Sequence, residues 1–68
     1  MISNQVTKYR KKAGLTQEAL AKLVGVSRRT IVSLEKGNYT PSLVLALQLA
    51  KVLEVDINAL FQLEEELS

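Results

Sequence analysis

Three residues, Gly25-Val26-Ser27, are all that separate two stretches of helix-period apolar residues, and so short a link restricts what this chain can build. Before it, Leu20, Ala21, Leu23 and Val24 supply one apolar face. After it, Ile31 and Leu34 supply another. A glycine just past a helix tolerates the left-handed backbone, and a serine is a good opening cap, so the link ends one helix and starts the next. Two short helices joined this way cross at about 90–120°, which throws the second one outward.

The same punctuation recurs along the chain. Gly14, Gly25 and Gly37 each close an apolar-periodic run. Ile2, Val6, Tyr9 and Ala13 form one stripe of a first helix ending near Gly14, with Lys8, Lys11 and Lys12 largely off it. Thr16 caps the second helix, with Glu18 in its first turn where the helix dipole favours a carboxylate. Ser27 caps a third that runs to about Lys36. Gly37 to Thr40 reads as loop, and Pro41 suits the first turn of a fourth helix reaching about Leu53, capped by Thr40 or else Ser42. Asp56 caps a last segment, Ile57 to Phe61. No run alternates with period two, so no strand is expected. The predicted fold is all-α: one compact bundle of about five short helices over residues 1–61, then an acidic tail, 62–68, that frays.

With 68 residues and no cysteine, the core has no disulfide to help it, so stability rests on packed apolar faces or on association. No apolar stretch reaches the ~20 residues of a membrane span, and the amino-terminal end carries no apolar signal segment, so a soluble, cytoplasmic protein is expected. Lack of histidine as well as cysteine removes the usual imidazole bases, thiol nucleophiles and soft-metal ligands. The three glycines are isolated and make no phosphate-cradling loop. An enzyme is not expected, nor a metal, cofactor or small-molecule ligand; Glu64-Glu65-Glu66 reads as a solvated tail rather than a cation site.

Charge order says more than the net +2. All nine basic residues lie at or before Lys51, and five of the seven acidic ones lie from Glu54 onward. A basic body suits a polyanionic partner, because clustered lysine and arginine displace counterions from phosphates. On a wheel where Ile31 and Leu34 point inward, Arg29, Val32, Ser33 and Lys36 point outward, with Arg28 beside them. Two arginines at a helix opening add to the positive end of its dipole, an arrangement that repels itself until an anion arrives. Alone, the pair could be two solvated side chains; with the outward helix it suits duplex DNA, since the guanidinium fork matches guanine O6 and N7 in the major groove.

Thr16-Gln17, Leu20-Ala21, Gly25-Val26-Ser27, Ile31, Leu34-Glu35, Gly37 and Pro41-Ser42-Leu43 together resemble the Cro and phage-repressor, or XRE-like, helix-turn-helix family. The likeness runs from Val6 to Phe61. It implies operator DNA as partner, a dimer on a two-fold site, and a transcriptional regulator, most simply a repressor. By that resemblance the helix pair is Gln17 to Val24 and Arg28 to Lys36 within a motif of about 16–36. Gln17, Arg28, Arg29, Val32 and Ser33 are assigned to base edges, Gln17 alternatively to a phosphate. Thr16, Ser27, Thr30, Lys36, Asn38, Tyr39 and Thr40 are assigned to phosphates, with loop backbone amides contributing. Arg10 and Glu35 match positions where similar repressors pair a base with an acid internally. Arginines stand where better-known members read bases with amides, so the operator does not carry over. Val32 reads as an ordinary exposed valine or as a contact to a thymine methyl. The fourth helix is apolar more than halfway round, and the last segment with Ile57, Leu60 and Phe61 either covers that excess within one copy or joins it in a two-fold interface; a homodimer through the excess, Leu60 and Phe61 is the favoured expectation. The competing reading is a helical protein-interaction module, an antitoxin or adaptor, on the same fold.

Overall fold

The computed structural model describes residues 2–64. The order is β1 (Ile2–Asn4), α1 (Val6–Lys12), α2 (Gln17–Val24), α3 (Arg28–Glu35), α4 (Leu43–Leu53), α5 (Ile57–Leu60) and β2 (Phe61–Leu63). Four helices open on a side-chain cap. Thr16 accepts from the Ala19 amide, Ser27 from Thr30, Ser42 from Leu45 and Asp56 from Asn58, at 2.7–3.2 Å. Each cap contributes about 1 kcal/mol. The fourth helix therefore begins at Leu43 under Ser42, and neither Thr40 nor Pro41 has the expected role. Of the amides this start leaves without a helical partner, that of Leu45 is three residues beyond Ser42, the spacing a capping hydroxyl serves, and five beyond Thr40.

Helix ends follow one scheme. After α1, α2, α3 and α4, the amides of the two residues past the last turn bond back to its carbonyls, as Gly37 to Leu34 and Asn38 to Ser33 after α3. The turn needs a left-handed residue, supplied by Gly14, Gly25 and Gly37 and, after α4, by Glu54 at φ 56°. At Gly25 a Cβ would meet nothing within 4 Å, so only the backbone resists a side chain there. Gly25→Ala should therefore lower stability by about 1 kcal/mol, the left-handed penalty less the reduced freedom of the unfolded chain. Urea unfolding measures this; no loss would show that the α2–α3 turn tolerates another geometry.

Leu20, Ile31, Leu34, Leu49, Leu60 and Val6 are the largest fully buried side chains. They come from all five helices, so the core seats α3 from behind. Leu60 is thereby corrected: it faces the core with no exposed surface and cannot meet a second copy, while Phe61 stays half-buried.

Two further expectations change. Residues at the two ends of the chain form a two-stranded antiparallel sheet, with Ile2 opposite Leu63, Ser3 opposite Gln62 and Asn4 opposite Phe61. Gln62 and Leu63 accordingly belong to the folded unit; Glu65 to Ser68 of the expected tail lie outside the described residues. Ile2 is in β1 and not on the α1 stripe, because Asn4 interrupts the run. Its Oδ1 accepts from the Val6 amide at 3.1 Å and its Nδ2 donates to the Leu34 carbonyl at 2.9 Å. Among the described residues no helix is long and apolar enough to cross a membrane.

Candidate nucleic-acid interface

The third helix is anchored in the bundle by Ile31 and Leu34, both with zero exposure. That burial fixes the opposite side. Arg28 and Arg29 are exposed at its opening, Val32 and Ser33 half-buried along it, and Lys36, Asn38, Tyr39 and Thr40 exposed in the loop that follows. Two guanidinium groups thus flank the positive end of the α3 dipole, and a lysine with three neutral polar side chains extends the surface from its other end.

Some of these groups already have partners. The Thr16 and Ser27 hydroxyls accept the capping amides, and Ser27 Oγ also lies 3.1 Å from Thr30 Oγ1. The amides of Gly37 and Asn38 close α3, so those two cannot serve an incoming phosphate as expected; the loop's side chains remain exposed. Glu64 lines one shallow cleft with Lys36 and Gly37, which sets an acidic residue beside the basic edge.

Behind the surface lies a buried ion pair. Arg10 Nε and Nη2 reach the two oxygens of Glu35 at 2.7 and 3.2 Å, and Arg10 Nη1 donates to the Leu15 carbonyl at 2.8 Å. The two side chains are 11% and 6% exposed, so the pair ties α1 to the end of α3 inside the molecule and Arg10 is not on the outer face. Gln17 is engaged as well. Its Nε2 donates to Glu35 Oε1 at 3.1 Å, and its Oε1 accepts from Arg28 Nη2 at 3.4 Å. The Gln17 link from ion pair to surface, and the Asn4 brace on Leu34, leave no local pattern in the sequence because their partners lie 11 to 30 residues away.

Burial raises the Glu35 pKa, but hydrogen bonds from Arg10, Gln17 and Thr7 and the Arg10 charge outweigh it and hold the carboxyl below its ordinary value of 4.5. A carboxyl that is more acidic in the folded state stabilises fully above its unfolded-state pKa, and that contribution disappears as pH falls through the folded value. Urea midpoints should therefore fall below about pH 4.5. The part due to Glu35 should vanish when Arg10→Met and Glu35→Leu are combined. An unchanged acid limb in that double variant would contradict the assignment.

The geometry is that of a helix-turn-helix, and the helix-turn-helix family model matches residues 6–60. The chain belongs to the helix-turn-helix family. An uncharacterized HTH-type transcriptional regulator of Archaeoglobus fulgidus is 52% identical over 62 residues, covering 91% of this chain and 89% of that one. The crystal structure of the restriction-modification controller protein C.AhdI from Aeromonas hydrophila superposes with a TM-score of 0.74 at 35% identity, over 79% of this chain and 82% of that one. The N-terminal DNA-binding domain of SinR from Bacillus subtilis gives 0.71 at 28% identity, over 78% of each. These helix-turn-helix relatives share the bundle that seats α3; they leave the chemistry of its outer face to this chain's own residues.

Proposed function

We propose that this helix-turn-helix protein is a sequence-specific regulator of transcription, a cytoplasmic repressor that docks α3 in the major groove of double-stranded DNA. The observation that carries the reading is the outward edge of α3: Arg28 and Arg29 exposed at a capped helix opening, backed by a fully buried Ile31 and Leu34. The names of the Archaeoglobus relative and of the SinR domain point the same way. Arg28 and Arg29 are the base readers, with Val32 and Ser33 further along the groove. Lys36, Asn38, Tyr39 and Thr40 take phosphates, and Thr16, Ser27 and Thr30 stand at the flanks, where the Thr16 hydroxyl and one hydroxyl of the Ser27–Thr30 pair still have a hydrogen to donate.

Two copies bind a palindromic site. With Leu60 withdrawn into the core, the apolar surface left from the expected contact is on α4, where Leu43, Val44 and Leu47 are 71%, 66% and 51% exposed, with Phe61 half-buried. Three neighbouring apolar side chains on one helix are a surface that association would cover.

Selection of duplexes from a random oligonucleotide pool tests the reading. A palindrome with guanine near the ends of its half-sites is expected. Arg29→Ala should cost about 1–3 kcal/mol on that site and relax one position. Enrichment of no duplex, or an Arg29→Ala protein with unaltered affinity and choice, would favour a protein-interaction module instead.

A further inference from the structure

The terminal sheet carries an acidic residue to the far end of α3. Leu63 of β2 lies opposite Ile2 of β1, so the chain leaves the sheet at Glu64 beside the start of β1. β1 is in turn held to α3 at one atom. The Leu34 carbonyl accepts both from Asn4 Nδ2, at 2.9 Å, and from the amide of Gly37, which opens the loop, at 3.0 Å. Glu64 thereby reaches the cleft it shares with Lys36 and Gly37. It finds little there to bond. The amides of Gly37 and Asn38 are used in closing α3, and Glu35 is already held by Arg10 and Gln17. Among the described residues the one ion pair is Arg10 with Glu35, so Glu64 and Lys36 stand in one cleft without touching, both exposed.

We propose that Glu64 is a built-in electrostatic brake: its carboxylate opposes the phosphates that Lys36 and the following loop would take, and so lowers affinity for every duplex without altering base choice. This rests on α3 and its loop facing DNA. A phosphate drawn to Lys36 enters the field of a second negative charge fixed beside it by the sheet. Phosphate contacts carry no sequence information, so a charge that acts on them scales all duplexes together. Non-specific binding is almost wholly electrostatic, and the brake therefore acts on it as fully as on the selected site. Between exposed groups the effect is modest and screened by salt, which gives it a signature. Glu64 makes no hydrogen bond among the described residues, so its removal bears on DNA and little on stability.

The test compares wild type, Glu64→Gln and Glu54→Gln. Glu54→Gln removes the same charge from a different cleft, beside Tyr9 and Lys12 where α1 and α4 end, and so controls for net charge. Each full-length protein is titrated at roughly 50 and 200 mM salt with the duplex selected by the wild type and with a scrambled one. Glu64→Gln should bind both duplexes about threefold more tightly at the lower salt and about 1.5-fold at the higher, since a fourfold rise in salt halves the screening length. The ratio between the two duplexes and the urea midpoint should stay as in wild type, and Glu54→Gln should change affinity little. Equal gains in the two variants would show that only net charge matters and would overturn the inference while leaving the regulator reading intact. No gain in Glu64→Gln, a gain undiminished at the higher salt, or a changed ratio between the duplexes would overturn it too. Failure of the wild type to bind any duplex would overturn both.

Discussion

Arg10→Met should lower the free energy of unfolding by about 3–5 kcal/mol. The guanidinium makes two bonds to Glu35 and one to the Leu15 carbonyl, in a site where both charged side chains are nearly closed to water. Methionine fills much of the volume but supplies no donor. Glu35 would keep Gln17 as a neutral partner, and a buried carboxylate without a counter-ion is costly. Small domains hold only a few kcal/mol in reserve, so much of the variant should be unfolded at room temperature. Arg10→Met with Glu35→Leu should recover most of the loss, because desolvating two charges offsets much of their attraction. Urea unfolding of the three proteins decides the matter. A single-variant cost below about 1 kcal/mol would mean that the pair behaves like an exposed one.

What could be read in the sequence was what neighbouring residues decide. Thr16 and Ser27 announced α2 and α3, because a hydroxyl acts on an amide only three residues away. Gly25 marked the turn between them, because the left-handed backbone falls on that residue itself. Glu54 performs the same office after α4 without being glycine, so nothing in composition flags it. The sheet escaped notice for a different reason. Strands of three residues are too short for alternation to show, and each strand's partner is at the far end of the chain.

At the candidate site, periodicity placed the outward side of α3 correctly, since burial of Ile31 and Leu34 leaves one choice. It could not say which outward groups were already bonded. Of the loop amides expected to serve phosphates, those of Gly37 and Asn38 are occupied, because closing α3 is a local need that arises before any ligand arrives. Leu60 misled by type. An apolar residue near the end of a short helix can face a second copy or its own core, and only packing beneath α4 decides between them. Gln17 followed from family likeness as a DNA contact, whereas its bonds to Glu35 and Arg28 depend on how α1, α2 and α3 converge.

Affinity for the selected duplex should fall about a thousandfold between roughly 50 and 200 mM salt. The estimate comes from the outer edge itself. Arg28, Arg29 and Lys36 are exposed cations around α3 in each copy, so two copies displace about six counterions and give a log–log slope near −5. The neutral side chains of Asn38, Tyr39 and Thr40 add contacts without adding to the slope. Lys36→Gln should therefore weaken binding to every duplex alike and reduce the slope by about two, one cation from each copy, with base preference unchanged. Because Lys36 is exposed and outside the core, its loss should leave stability within about 0.5 kcal/mol. Arg29→Ala should differ in kind, since a base reader changes the preferred sequence as well as the salt response. A slope near −2.5 in the wild type would indicate one copy on the DNA and no two-fold complex. A flat titration would mean that the cations never approach phosphates, and α3 would then have to face another protein.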